Sequence, residues 1–171
     1  MPVLPIVQFP DPMLRRPCTP VQAIDAITRQ LAADMLETMY AATGRGLAGP
    51  QVAVPQRIFV MDCTWKEGTP APRVCVNPEI LETSDALAVN TEGCLSIPGV
   101  PALVARPDWV LMRWLDLDGV AHTEMLSGFE AVCAQHELDH LNGRLCIDLM
   151  DEAARVAASP ALSALSHPET P

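Results

Sequence analysis

Gln135-His136-Glu137-Leu138-Asp139-His140 places two imidazoles four residues apart, with a carboxylate directly after the first. In a helix four residues advance about 400°, so both rings leave one face, about 6 Å apart along the axis. Two such rings can ligate one metal ion while the intervening glutamate reaches a water on the same ion. An ordinary amphipathic helix can carry the same string by chance, so the flanks matter. Ser127 and Gly128 offer a helix start, Ala131, Val132 and Leu138 an apolar stripe, and Gly143 a stop. The pattern predicts a helix of ordinary length bearing both histidines.

A catalytic site of this kind takes three protein ligands and keeps one position for solvent. The third ligand must come from elsewhere: His122, His167, or one of Cys18, Cys63, Cys75, Cys94, Cys133 and Cys146. Cys94 is the best candidate. It directly follows Gly93 in a turn, where its side chain meets no bulky neighbour on that side. A thiolate with two imidazoles suits zinc or ferrous iron. The competing reading is a buried free thiol, which is common in cores. Cys133 lies three residues before His136 on roughly the same helix face. Three ligands within two turns of one helix cannot easily surround an ion, so Cys133 reads as core. Cys18, Cys63, Cys75 and Cys146 also default to core, His122 to a surface strand position, and His167 to the tail.

The length of 171 residues fits one catalytic domain over residues 1–171, with 159–171 as a frayed tail. Pro5 to Pro20 is a proline-rich extended arm. From Val21 to Ala42, Ile24, Ile27, Leu31, Met35 and Met39 recur near helical spacing, predicting a long amphipathic N-terminal helix ended by Gly44. The glycine-rich stretch Gly44–Gln51 is either a long turn or a ligand-facing loop whose Gln51 offers an amide. It does not match a phosphate-binding loop. Strands are expected over Arg57–Asp62, Arg73–Asn77, Glu79–Thr83, Leu87–Asn90, Leu103–Arg106, Trp109–Leu117 and Val120–Met125. Asp118-Gly119 joins the last two as a hairpin. Cys146 to Ala158 is a short final helix. Strands grouped between helices, without βαβ alternation, give an α+β class with mostly antiparallel sheet.

A chain 49% hydrophobic and 19% charged is not disordered. The net charge of -10 repels a polyanion, and Lys66 is the only lysine, so no nucleic-acid partner is expected. No apolar run approaches the ~20 residues that span a bilayer, so no membrane partner is expected. Met1 to Pro10 carries no basic region or small-residue cleavage site. The expected location is the cytoplasm, with the cysteines as thiols. A small organic or peptide substrate fits.

Three blocks together resemble one family, the peptide deformylases: the loop Gly44–Gln51, the turn Glu92-Gly93-Cys94-Leu95-Ser96, and the helix string His136–His140. The resemblance includes Pro10-Asp11-Pro12 and covers about residues 5 to 150. It implies the deformylase α+β fold, with antiparallel sheets packed around the HExxH helix. It implies Cys94, His136 and His140 as ligands of one divalent ion, typically ferrous iron, which zinc, nickel or cobalt can replace. Glu137 would be general base and acid. The Gln51 amide and the Leu95 N–H would stabilise the oxyanion. The loop around Gly46 and the stretch after Cys94 would hold an N-formylmethionyl peptide, releasing formate and a free amino terminus. A monomer is expected.

The sequence departs from the family pattern at three places. Arg45 stands where Ile or Val is usual, and would bring a cation into the peptide cleft. Gly49 replaces an Ala, which loosens the loop. Pro101 stands where many members have Arg, so Arg45 would hold the substrate from the other side. The alternative reading is a divergent homologue with weak activity or another formylated substrate. Asp148, Asp151 and Glu152 outweigh Arg144 and Arg155, so the basic C-terminal ribosome-docking mode of some members is not expected. Glu92 and Arg106 are expected to pair and fix the Cys94 turn. A metallopeptidase would recruit a downstream Glu or His, for which only Glu152 lies close. A structural metal module would close its site with four ligands and have little need of Glu137.

Overall fold

The computed structural model describes residues 2–166. Helix α1 runs Ala26–Ala41, five residues later than the apolar spacing predicts. Asp25 decides the start: its side chain accepts from the Ile27 and Thr28 N–H groups, both at 3.0 Å. Val21 instead lies in extended chain, exchanging two hydrogen bonds with the Asn77 amide at 2.8 and 2.9 Å.

Seven strands follow: β1 Gly46–Ala48, β2 Ile58–Met61, β3 Arg73–Thr83, β4 Leu87–Cys94, β5 Ile97–Pro107, β6 Trp109–Leu115 and β7 Ala121–Ser127. They form a five-stranded sheet in the order β1-β2-β3-β6-β7 and a separate β4-β5 hairpin. Every pairing between these strands is antiparallel. β3 is one strand, where two were expected around Asn77-Pro78. A register shift between Val76 and Glu79 absorbs the proline, which has no N–H to give the ladder. The β4-β5 strands are longer than expected, and only Leu95 and Ser96 separate them. Asp118-Gly119 makes the predicted β6-β7 turn, with Asp116 accepting from the Asp118 and Val120 N–H groups.

β2 is buried on both faces, and its alternation explains the layers. Ile58 and Val60 pack with Ala32, Met35 and Met39 of α1. Phe59 and Met61 pack with Ala131, Ala134 and Leu138 of helix α2, Gly128–Leu141. The large sheet is thus sandwiched between the two helices. A third cluster joins Ile97, Val100 and Val104 of β5 to Leu14, Leu145 and Ile147. Helix α3, Glu152–Ser166, caps that cluster and corrects the expected tail: residues 159–166 are helical. Ala154, Ala158, Leu162 and Leu165 form a stripe against the cluster. That burial outweighs the one backbone hydrogen bond that Pro160 forfeits inside the helix. His167 and residues 168–171 of the expected tail lie outside the described residues.

Candidate metal centre

α2 packs between the large sheet and the β4-β5 hairpin, so His136 and His140 are buried although they lie on the helix surface. Their ring centres are 4.9 Å apart and the rings nearly perpendicular, as the four-residue spacing requires. Cys94 closes β4, and the hairpin brings its Sγ to 3.4 Å from His140 Nε2. One ligating atom from each of Cys94, His136 and His140 lies within 4.8 Å of the others.

The second ring nitrogen of His136 is spoken for. Its Nδ1–H donates to Glu92 Oε2 at 2.9 Å, leaving Nε2 for a metal. Glu92 also takes the Arg106 guanidinium on both oxygens, at 2.5 and 2.9 Å, and Arg106 reaches Asp139 at 2.8 Å. The pairing of Glu92 with Arg106 agrees with the sequence reading; the contacts to His136 and Asp139 were missed. Burial opposes charge on His136, but the Glu92 hydrogen bond together with the negative charges of Glu137, Cys146 and Glu92 outweighs it and raises its pKa to about 9. His140 moves the other way, well below the usual value, through burial and the neighbouring His136.

Glu137 is buried, and its Oε2 has no hydrogen-bond partner among the described residues. Burial pushes its pKa up to about 7. The carboxylate packs on the bare Cα of Gly46: a Cβ there would meet Glu137 Cδ at 2.8 Å and Cys133 Sγ at 2.9 Å. Gly44 is similarly closed by Leu95 Cδ1, at 2.8 Å from a built Cβ. The stretch Gly44–Gln51 is therefore not a slack turn, and Gly44, Arg45, Gly46 and Gln51 line a cleft. It is an edge strand followed by a 3-10 turn over Gly49–Val52. The expectation that Gly49 loosens the stretch is not met. The carbonyls of Val54 and Gln56 crowd the site a Cβ would take, at 2.6 and 2.8 Å, and Val54 N–H donates to Gly49 O at 2.9 Å. Gln51 is buried, its Oε1 accepting from Ala48 N–H at 2.9 Å. Its Nε2 donates to Ser96 Oγ at 3.1 Å and lies 3.7 Å from Cys94 Sγ. Leu95 sits in the turn between β4 and β5, and its N–H meets no intramolecular acceptor among the described residues.

The cleft, of about 640 Å³, is walled by Gly44 to Gly46 and Gln51, by Glu92 to Leu95, and by Phe129, Val132, Cys133, His136 and Glu137 of α2. Arg45 is in the wall, but its guanidinium is held by both Glu67 oxygens at 2.8 and 2.6 Å and by the Cys63 carbonyl. It also lies 5.3 Å from the Phe129 ring centre. Cys133 donates to the Arg45 carbonyl at 3.5 Å and stays outside the ligand cluster. Cys146, read as core from sequence, is buried but sits beside the centre, its sulfur within 4.8 Å of ligating atoms of Glu92 and His136. It forms a second possible group with Glu92 and His136. That group is the poorer one, because Glu92 is consumed by Arg106 and by His136 itself. Cys146 carries no local signal; only the 3-10 turn Cys146–Leu149 brings it there.

The residues fit a divalent ion. One sulfur and two imidazoles converge, and the unpartnered Glu137 Oε2 is buried next to them. Two imidazoles and a thiol beside a buried carboxylate, opening on a peptide-sized cleft, form the arrangement of a metal-dependent hydrolase and not of a closed structural site. A family model described as polypeptide deformylase matches residues 3–156. A peptide deformylase of Afipia carboxidovorans is 51% identical over 91% of both chains, and one of Pseudomonas aeruginosa is 46% identical over 91% of both. The crystal structure of a Plasmodium falciparum peptide deformylase superposes with a TM-score of 0.90 at 34% identity, covering 97% of this chain and 99% of that one. A Synechococcus elongatus peptide deformylase in complex with actinonin gives 0.90 at 38% identity, covering 97% and 89%. The chain belongs to the polypeptide deformylase family. Deformylases are metalloenzymes, and removal of the N-terminal formyl group is the activity.

Proposed function

We propose that Cys94, His136 and His140 hold one divalent ion, natively ferrous iron and replaceable by zinc, nickel or cobalt. Glu137, Gln51 and Leu95 then carry the deformylation of N-formylmethionyl peptides. The observation that carries this reading is the convergence of Cys94 Sγ and the two imidazoles next to a buried carboxylate with an unpartnered oxygen. The ion would supply Lewis acidity to the formyl oxygen and to the attacking water.

The chain's own residues do the rest. Glu137, poised near neutrality, takes a proton from the water as its oxygen bonds the formyl carbon. It returns that proton to the amine nitrogen as the C–N bond breaks, giving formate and a free amino terminus. The Gln51 amide, oriented by Ala48 and Ser96, and the Leu95 N–H offer donors to the oxygen where negative charge develops. Glu92 holds the His136 ring in one tautomer. β1 lies at the edge of its sheet, so Gly46, with Arg45 beside it in the cleft wall, presents backbone along which an extended peptide can lie.

One chain supplies every one of these residues, which supports a single catalytic domain acting as a monomer. The six cysteines are free thiols, which supports a reducing compartment, the cytoplasm. No described helix is long and apolar enough to cross a membrane. No observation favours the alternative of a weak or differently directed homologue.

The test is metal analysis of anaerobically purified protein together with formate release from formyl-Met peptides. Glu137→Gln retains metal and loses at least about 10²-fold in turnover, whereas Cys94→Ser loses metal. Full turnover by Glu137→Gln, or full metal content in Cys94→Ser, overturns the assignment.

A further inference from the structure

We propose that Lys66 is a specificity determinant that favours formylated peptides with an acidic side chain downstream of the methionine. The inference rests on the deformylase reading. It begins with the acidic and basic side chains in the cleft wall, which are Arg45, Lys66, Glu92 and Glu137, beside His136 whose ring is tied to Glu92. Arg45 is neutralised by Glu67 and Glu92 by Arg106. Glu137 lies at the buried end, next to the ligands. Lys66 is the only lysine of the chain, is exposed, and makes no ion pair among the described residues. Its ammonium rests 5.5 Å from the ring centre of its neighbour Trp65.

Its position is fixed although its side chain is in solvent. Lys66 is the middle residue of the 3-10 turn Trp65–Glu67. Asp62 Oδ1 accepts from Thr64 and Trp65 N–H at 3.2 and 3.1 Å. Trp65 Nε1 donates to the Gly44 carbonyl at 2.8 Å, and Trp65 packs edge-on to Tyr40. Arg45 ties Glu67, on the other side of Lys66, to the cleft wall. The arginine that the sequence reading expected to grip substrate instead anchors the turn that presents the lysine. Across the cleft Asn90, Thr91, Gly99 and Pro101 offer no charge. An extended peptide leaving the site therefore meets one open cation at the mouth. A carboxylate side chain answers it without displacing a resident partner.

An exposed ion pair of this kind changes binding about two- to fivefold and is weakened by salt. The experiment compares formyl-Met-Ala-Glu, formyl-Met-Ala-Gln and formyl-Met-Ala-Lys amides, and the matching formyl-Met-X-Ala amides. The metal-loaded wild type, Lys66→Met and Lys66→Glu are assayed at low and high ionic strength. In at least one series the wild type shows a two- to fivefold Glu-over-Gln ratio in kcat/KM, expressed in KM and shrinking with salt. Lys66→Met abolishes the ratio, and Lys66→Glu inverts it toward Lys. A wild-type ratio of one in both series, or one that persists in Lys66→Met, overturns the proposal. Failure of the wild type to turn over the Gln amides overturns the deformylase reading instead.

Discussion

A methyl group at position 46 has no room except where Glu137 now stands. In Gly46→Ala the new Cβ would approach Glu137 Cδ to 2.8 Å and Cys133 Sγ to 2.9 Å, where ordinary contact begins at 3.4 Å. The atoms in the way are ends of side chains, so the fold yields cheaply: the carboxylate rotates and the backbone stays. Restoring contact at Cδ needs roughly 0.6 Å, and the oxygen must travel further, on the order of 1 Å. Misplacing a catalytic group by about 1 Å costs on the order of 10²-fold in rate. The expected outcome is a kcat for formyl-Met peptides about 10²-fold below wild type. Metal content and melting temperature stay near wild type, because none of the three ligands is touched. A Gly46→Ala enzyme within about threefold of wild-type kcat refutes the assignment of Glu137 as base. A variant that loses its metal refutes the view that the two parts are separable.

Gly49→Ala behaves oppositely: its Cβ meets the backbone carbonyls of Val54 and Gln56, so the turn itself must move. It is expected to lose about 1–3 kcal/mol of stability in urea unfolding, more than Gly46→Ala. Glu92→Leu removes the carboxylate shared by Arg106 and His136. Its expected cost is about 3 kcal/mol, the low end for breaking a buried pair because Asp139 still holds the guanidinium, with metal affinity 10–100-fold weaker by competition titration. Burial pushes the Asp62 pKa up, but hydrogen bonds from Tyr40, Ala71, Thr64 and Trp65 outweigh it and hold it below the ordinary 3.8. Because the folded pKa is the lower one, the stabilisation is present above about pH 4 and fades as pH falls through the folded value. The stability gap between wild type and Asp62→Asn should therefore be flat near neutrality and narrow below pH ~4. A gap independent of pH would remove the ionised carboxylate from the account.

Much of the centre was legible along the chain. The interval from His136 to His140 sets both rings on one helix face whatever surrounds them, and Asp118-Gly119 forces its turn through local backbone preference. Cys94 was singled out as a candidate by elimination and by its place after Gly93, and the Glu92 pairing with Arg106 was expected by charge. Helix boundaries were less secure. The apolar spacing near Val21 read as helix until the Asp25 cap and the Asn77 amide claimed those residues differently. Residues 159–166, expected to fray, are helical because Leu162 and Leu165 find a surface to pack on that the sequence does not display.

By itself, then, the sequence determined what depends on neighbours within a turn or two: a helix with two histidines on one face, hairpins, an α+β class and a chemically recognisable set of candidate ligands. Only the tertiary structure decided that Gly46 seats the Glu137 carboxylate and that Cys146 lies beside Cys94. Only it decided that Asp139, Arg106 and Glu92 form one chain of charges ending on His136, and that Arg45 is neutralised while Lys66 is open. Each of these joins residues from segments far apart in the chain. Such contacts are set by how whole layers pack, and no local periodicity encodes them.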